Sequence, residues 1–280
     1  MLHCGTAGWA HADWHSTIYP RVPPRGFHPL EAYARILDLV EIGSTFEQMP
    51  RPERTRVWLR KVADNPRFRF TALLGRQFTH DRSDDRDAAR AFREGLRPLL
   101  DAGKLGCLLM RFPWSFRFTP ENRDLIISLR RLFPEYPLAA EMRHSSWLLD
   151  EALGVLTDHH IGFCNLDQPE GLRAMPPRAI RTATVGYVRF LGRSAADWVR
   201  EDQSAGYLYT PQELADWRPR LDRLAAHTRE TYVVMANVRK GQAVVNAMQL
   251  RKLLAVPAAA PPARQQKRTE PAASWMALSA

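Results

Sequence analysis

The fold is decided by residues 106–143, which read GCLLMRFPWSFRFTPENRDLIISLRRLFPEYPLAAEMR. This stretch begins with an apolar run, Gly106–Phe112, and ends with a second, Pro137–Arg143, and both have the length and composition of buried strands. Between them, Thr119 is a typical helix N-cap and Pro120 a typical first helical residue. A strand, a helix and a strand joined by short links form a parallel pair with a right-handed crossover.

The same alternation extends in both directions along the chain. Strand composition is also found at Leu2–Ala7, Leu39–Thr45, Phe68–Leu74, Gly162–Asp167, Val185–Leu191 and Glu230–Asn237. Helical spacing or a helix start signal is found at Glu31–Leu37, Pro52–Ala63, Asp85–Leu100, Pro120–Phe133, Pro211–His227 and Gly241–Leu254. Eight strands in such an alternation favour a closed barrel over an open sheet, and about 250 residues are typical of that barrel. We therefore predict a single-domain α/β protein with the TIM (β/α)8 barrel fold.

Two segments depart from the repeating unit. The sixth connection, Gln168–Thr184, is rich in helix breakers, which are Pro169, Gly171, Pro176 and Pro177. A reduced sixth helix is expected there. Residues 256–280 are rich in Ala and Pro and poor in large apolar side chains, so they are predicted to form a disordered tail behind a barrel domain of residues 1–255.

Length and cysteine usage limit the class of protein. The chain has 280 residues, 45% of them apolar, which is enough to bury a large core without disulfides. Cys4, Cys107 and Cys164 lie in apolar runs without a C-x-x-C motif, as expected of buried thiols in a reducing compartment. The N-terminus lacks the pattern of a signal peptide, and no apolar run approaches the roughly 20 residues of a membrane span. A cytoplasmic protein without a membrane partner is predicted.

The chain is strongly basic, with a formal net charge of +10. Most of the positive charge is arginine, and it is scattered along the chain instead of forming one block or tail. Nucleic-acid binding usually requires a basic cluster on one face, so this distribution makes nucleic acid a less favoured partner. A small anionic molecule is equally consistent with the charge.

Several predicted strands contain charged residues where a barrel strand should be apolar on both faces. They are Glu41, Arg111, Glu141, Arg143 and Arg189. Because side chains alternate along a strand, Glu141 and Arg143 share one face, which we expect to point into the barrel. Charges buried there must pair with one another or reach water. They also lie towards the carboxyl ends of strands, where the active sites of this fold are found.

These positions give a set of candidate site residues. The candidate proton carriers are Glu41, Glu141, His144 and Asp167. The candidate substrate-binding residues are Trp9, Thr45, His80, Arg111, Arg143, Trp147, Arg189 and Asn237. The alternative is a buried ion-pair network that only stabilises the barrel. No nucleotide-loop, metalloprotease or hydrolase motif is present, and Glu141, His144 and Asp167 fit no standard metal spacing, so neither metal nor cofactor is predicted.

Seven blocks of this sequence, in order, match a family pattern. They lie at residues 5–9, 40–47, 68–80, 105–113, 141–147, 187–193 and 235–247. The family's E-x-R-H-x-S-W is intact as Glu141, Arg143, His144, Ser146 and Trp147. On these blocks the chain resembles the YecE-like family, known as domain of unknown function 72, from Leu2 to Leu254. The resemblance implies a TIM barrel and supplies no reaction, because the family has no settled activity.

The chain departs from this family pattern near the carboxyl ends of its strands. Gly43 stands where the family has Asn, Glu47 for Tyr, Leu73 for Lys, Arg111 for Gln, Leu191 for His, and Ala236 for the first Asn. One hypothesis is therefore an acid/base or hydrolytic enzyme acting on a small anionic substrate, either phosphorylated or nucleotide-like. A second is a non-catalytic binding or scaffold barrel that has lost active-site residues. Nucleic-acid binding is the third, and the sequence leaves open whether the protein is an enzyme.

Overall fold

A computed structural model describes residues 1–169, 175–194 and 206–255. Its centre is a closed barrel of parallel strands in chain order, which confirms the predicted fold class. The strands are β1 Leu2–Ala7, β2 Leu39–Ile42, β3 Arg69–Leu73, β4 Leu105–Arg111, β5 Leu138–Glu141, β6 Ile161–Asp167, β7 Val185–Phe190 and β8 Glu230–Met235. The barrel closes where β1 pairs with β8, from Leu2 beside Thr231 to Thr6 beside Met235.

Helices between the strands surround the barrel. They are α1 Pro29–Ala34, α2 Pro52–Lys61, α3 Arg76–Thr79, α4 Arg86–Asp101, α5 Pro120–Leu132, α6 Asp150–Asp158, α7 Pro211–His227 and α8 Gln242–Leu253. Short 3-10 turns after strands shape the barrel mouth, and two of them are Ser44–Phe46 and Ser145–Leu148. In the described part of the chain, no helix is both long enough and apolar enough to span a membrane.

The sixth connection contains no helix within its described residues, 168–169 and 175–184. Asn165 of β6 fixes this segment, because its side chain accepts a hydrogen bond from the Ile180 amide at 2.8 Å and donates one to the Ile180 carbonyl at 2.9 Å. The rest of the connection and the predicted tail, residues 256–280, lie outside the described residues.

The hydrophobic core has two parts, one on each side of the strands. The larger part lies between the barrel and its helices and contains the fully buried Trp14, Tyr33, Trp147 and Trp217. The smaller part fills the lumen with Leu39, Leu73, Cys107, Leu109, Ala139, Cys164, Leu166, Tyr187, Tyr232 and Val234. A filled interior is typical of this fold and leaves ligand binding to the mouth.

All three cysteines are fully buried in this core, each on a different strand. Burial raises the pKa of each thiol well above its ordinary value. The nucleophilic form of cysteine is the thiolate, so these side chains act as small apolar groups and not as reactive ones.

Polar side chains close the amino-terminal end of the lumen. Glu230 lies 3.7 Å from His3 Nε2 and 3.4 Å from Arg69 Nε, and it accepts a hydrogen bond from the Tyr232 hydroxyl. The contact with His3 lowers the pKa of Glu230 to about 2, assisted by Tyr232 and Arg69 and opposed by burial. This end of the barrel therefore holds an ionised carboxylate far from the mouth.

Candidate functional site

The lumen near the barrel mouth contains a chain of alternating charges. Arg189 of β7 donates from Nη2 to Glu41 of β2 at 2.9 Å and from Nη1 to Glu141 of β5. Arg143 donates from Nε to the second oxygen of Glu141 at 3.2 Å. Side-chain alternation on three separate strands therefore brings the predicted charges together. Arg189 is 1% exposed and both carboxylates are completely buried, so these contacts are shielded from water.

Two uncharged side chains extend this network towards the centre of the barrel. The Tyr187 hydroxyl donates to the free oxygen of Glu41 at 2.8 Å, and Thr71 lies 2.8 Å from the same hydroxyl. Burial, assisted by the charge of Glu41, raises the pKa of Tyr187 well above its ordinary value. The hydroxyl therefore stays protonated and donates, so both Glu41 oxygens are occupied. Sequence reasoning missed both residues, although Tyr187 lies two positions before Arg189 and shares its face.

Glu141 is a permanent anion at neutral pH. Burial by itself raises its pKa, but the charges of Arg189, Arg143 and Arg111 together lower it to about 2. Burial by itself likewise lowers the pKa of Arg189, and the two carboxylates raise it above its ordinary range. Neither group can exchange a proton easily near pH 7, so Glu141 is suited to holding arginines and not to acid/base chemistry.

Among the described residues, Arg111 is the cation of this cluster that has no ion pair with a carboxylate. It lies at the end of β4, is 9% exposed, and its Nη1 has no hydrogen-bond partner within the described residues. Its guanidinium carbon lies 4.3 Å from the centre of the Phe46 ring. Burial lowers the pKa of Arg111, Glu141 opposes this shift, and Arg189 and Arg143 reinforce it. The cluster therefore has an excess of positive charge and an open donor, which fits an anion.

Two histidines lie on the loops beside these charges. His80 follows α3, packs edge-on against Phe46 at 5.2 Å, and has Nδ1 3.0 Å from the Thr79 hydroxyl. Burial, followed by the charge of Arg111, lowers the pKa of His80, so the ring is neutral at pH 7. His144 Nδ1 accepts a hydrogen bond from the Ser146 amide at 3.1 Å, so in this tautomer the proton is on Nε2.

Three further predicted residues lie on the mouth loops and differ in their burial and contacts: Thr45, Trp147 and Trp9. Thr45 donates to the Leu73 carbonyl at 2.7 Å and so fixes the loop after β2 against β3. Trp147 is completely buried, with its indole N–H bonded to the Phe116 carbonyl at 2.8 Å, which is a core position. Trp9 is partly exposed and lines a cavity at the mouth. Of these residues, Trp9 has the most direct access to a ligand.

Asp167 and Asn237 do not join the lumen network. Asp167 points outward from β6, where it accepts hydrogen bonds from Arg193 at 2.6 and 2.9 Å, from the Tyr209 hydroxyl at 2.7 Å and from the Trp217 indole. Asn237 donates to Asn246 on α8 at 2.8 Å. The inward residue at the end of β6 is Leu166, which belongs to the lumen cluster. In this geometry Asp167 connects the barrel to α7 and the segment before it.

The positions at which the chain departs from the family pattern surround the mouth. Gly43, Leu73 and Ala236 line a cavity of about 560 Å³ whose wall also includes Trp9 and Glu41. Leu73 is 3% exposed and Leu191 packs against the same lumen cluster. These residues make this side of the mouth more apolar than lysine or histidine would. Among the described residues, no three His, Cys, Asp or Glu side chains are grouped so that they could hold a metal ion.

Comparison with known proteins gives consistent matches. A family model described as "Protein of unknown function DUF72" matches residues 3–271. UPF0759 protein YunF of Bacillus subtilis (strain 168) is 25% identical over 272 residues, covering 91% of this chain and 95% of the relative. UPF0759 protein YecE of Escherichia coli (strain K12) is 25% identical over 242 residues, covering 78% of this chain and 82% of the relative.

Solved structures show the same likeness. The crystal structure of a DUF72 family protein from Thermotoga maritima MSB8 is 31% identical with a TM-score of 0.81, and the match covers 91% of this chain and 99% of that protein. A DUF72 family protein from Enterococcus faecalis V583 is 25% identical with a TM-score of 0.77, covering 92% of this chain and 98% of that protein. These names state a family and no activity.

Proposed function

The chain belongs to the DUF72 family of proteins of unknown function, and we propose that its barrel mouth binds a small anionic molecule and acts on it by acid/base chemistry. One observation carries this proposal. Arg111 is nine-tenths buried, and its Nη1 has no hydrogen-bond partner in the described part of the chain. A buried guanidinium with an unused donor is unfavourable unless a hydrogen-bond acceptor contacts it, and an anion is the acceptor that also balances its charge. A phosphate or a carboxylate supplies that partner.

The contacts divide the candidate residues by role. Arg111 and Arg143 would bind the anion, because both lie beside Glu141 at the mouth and keep some exposure. Arg189 would position the network, because Glu41 and Glu141 already occupy it. His80 would be the general base, since its ring is neutral at pH 7 and packs on the same Phe46 ring as Arg111.

Binding of inorganic phosphate, measured by isothermal titration calorimetry, tests the anion site. The wild-type protein is expected to bind phosphate, and Arg111→Met is expected to weaken binding by at least about tenfold, because a charge-assisted hydrogen bond contributes about 1.5–3 kcal/mol. Arg218→Met is the matched control, since it removes the same charge from an exposed position on α7. If both variants lost phosphate affinity equally, binding would depend on the net charge of the protein and not on Arg111.

A non-catalytic binding barrel is the second candidate. It is favoured by the low pKa of Glu141 and by the apolar Leu73 and Leu191 in the lumen. The enzyme and the binding barrel are distinguished by whether a bound phosphomonoester is converted, and by whether His80→Gln abolishes that conversion. An enzyme converts the ester, as followed by ³¹P NMR, and the variant loses conversion while keeping affinity. Binding without conversion by the wild-type protein supports the scaffold barrel.

A further inference from the structure

The Arg111 site lies beside the mouth cavity of about 560 Å³, here called the Trp9 cavity and lined by Trp9, His11, Phe46, Glu47 and Leu73 among others. Phe46 contacts both the Trp9 cavity and the Arg111 site, since it lines the cavity and its ring centre lies 4.3 Å from the Arg111 guanidinium carbon. Glu41 also lines the cavity and bonds Arg189 of the charge network. The volume is within the range of about 300–1,000 Å³ that is typical of small-molecule sites.

The walls of the Trp9 cavity are mainly flat and apolar. Trp9 is held edge-on against Trp58, with ring centres 5.3 Å apart and an interplanar angle of 86°. Phe46, Leu73 and Ala236 complete the apolar lining. Aromatic walls of this kind favour a planar ring, because stacking on an indole or phenyl face adds to the burial of apolar area.

The polar groups that line the Trp9 cavity include two hydrogen-bond acceptors, on His11 and Glu47, beside the hydroxyl of Ser44 and the donor Arg54. His11 Nε2 lies 2.8 Å from the Ala7 carbonyl, which only accepts, so Nε2 donates to it, and in this tautomer Nδ1 is an acceptor. Glu47 is an exposed carboxylate at the rim, whereas both Glu41 oxygens are already bonded. The basic group at the rim, Arg54, lies over the Trp58 ring at 5.3 Å. Acceptors of this kind require N–H donors on the ligand.

We propose that the Trp9 cavity binds a planar heteroaromatic ring bearing N–H donors, and that this ring and the anion at Arg111 belong to one ligand. The proposal rests on the anion site proposed above and names its ligand class, a nucleotide-like molecule. The ring would stack against Trp9 or Phe46 and donate to His11 or Glu47. Arg111 and Arg143 would hold the phosphate.

Calorimetric titration with three probes separates the two parts of the site. The probes are adenosine 5′-monophosphate, ribose 5-phosphate and adenosine. If the ring is bound, adenosine 5′-monophosphate binds about tenfold or more tightly than ribose 5-phosphate, because stacking of one base contributes about 1–3 kcal/mol. Trp9→Leu removes this difference and leaves ribose 5-phosphate binding unchanged. Arg111→Met weakens both phosphates and leaves adenosine unchanged.

The outcomes distinguish the two proposals. Equal affinity for the two phosphates, or a difference that survives Trp9→Leu, overturns the assignment of the ring site and leaves the anion site standing. Binding of adenosine that depends on Trp9, without binding of either phosphate, overturns the anion site and the assignment of ring and anion to one ligand, and leaves only the ring site standing. Absence of binding by every probe overturns both. If circular dichroism shows that Trp9→Leu is unfolded, the affinities for adenosine 5′-monophosphate and ribose 5-phosphate are compared in Glu47→Gln instead. Glu47 is exposed, so this substitution does not disturb the core.

Discussion

Glu141 has no access to water and accepts hydrogen bonds from two arginine side chains. Its charge is therefore needed less for chemistry than for holding Arg143 and Arg189 in place. Removing one partner of a buried ion pair leaves the other charge uncompensated, which is usually more harmful than the pair is helpful. Glu141 thus connects the stability of the barrel to the geometry of the mouth.

Glu141→Gln is expected to lower the free energy of unfolding by about 3 kcal/mol, because it removes a buried negative charge that contacts both Arg143 and Arg189. Urea denaturation followed by circular dichroism measures the change. Glu94→Gln makes the same substitution at an exposed position of α4 and should change stability by less than about 0.5 kcal/mol. Similar losses in both variants would contradict the role given to Glu141.

The sequence predicted the charged part of this site better than the uncharged part. Glu41, Glu141 and Arg189 were found because charges in apolar strands are rare and alternation places them on one face. Tyr187 was missed because tyrosine is an ordinary strand residue. Asp167 was grouped with the lumen residues, but its strand is buried on both faces, and such a strand does not reveal which face is inward.

At the scale of elements, helix starts were predicted more accurately than strand ends. Thr119 caps α5 as predicted, and Thr210, which likewise precedes a proline, forms a capping box with Glu213 at the start of α7. Strand β2 ends at Ile42 instead of Thr45, and β5 ends at Glu141 instead of Arg143. The predicted strands extend two or three residues beyond these ends, so the sequence overestimates the length of both strands.

The contact between α4 and the loop before α2 gives a prediction at this scale. A Cβ atom at Gly95 of α4 would lie 2.2 Å from the Pro50 carbonyl oxygen, so Gly95→Ala must push the helix away from the loop. We expect a loss of about 1–3 kcal/mol, as is usual for overpacking. Gly154 of α6 has open space at the same position, so Gly154→Ala should stabilise the protein by about 0.5–1 kcal/mol.

Thermal unfolding of the two alanine variants checks this pair of predictions. The predicted changes in stability have opposite signs, although both variants replace glycine by alanine. A stabilising Gly95→Ala would mean that α4 and the Pro50 loop are not in contact. That contact matters for the site, because the loop that contains Pro50 follows the 3-10 turn that carries Phe46.

At the scale of the whole molecule, ionised carboxylates lie at both ends of the lumen. Glu141 near the mouth and Glu230 at the amino-terminal end both have a pKa of about 2, lowered from an ordinary value of 4.5. A lowered pKa in the folded state means that the unfolded chain binds protons more readily. The stability from these groups is complete above about pH 4.5 and is lost as the pH falls towards 2.

The stability of the wild-type protein is therefore expected to fall between about pH 4.5 and pH 2, with Glu141 contributing about 3 kcal/mol of the loss. Urea denaturation at pH 6, 4 and 3 measures this. Glu141→Gln should be less stable at pH 6 and less sensitive to acid, because its side chain no longer titrates. An unchanged acid dependence in the variant would show that Glu141 is not the titrating group.

The rates at which the three buried cysteines react with an alkylating reagent can show where the folded protein opens. Cys4, Cys107 and Cys164 lie on β1, β4 and β6, spaced around the closed barrel. Cys107 and Cys164 face the lumen, whereas Cys4 faces the layer between the barrel and its helices. An alkylating reagent therefore reaches the first two when strands separate and reaches Cys4 when a helix moves away from β1. If the barrel opens as one unit, mass spectrometry should show the three sites labelled at the same rate. A faster rate at Cys4 would instead show that the layer between the barrel and its helices opens before the lumen does.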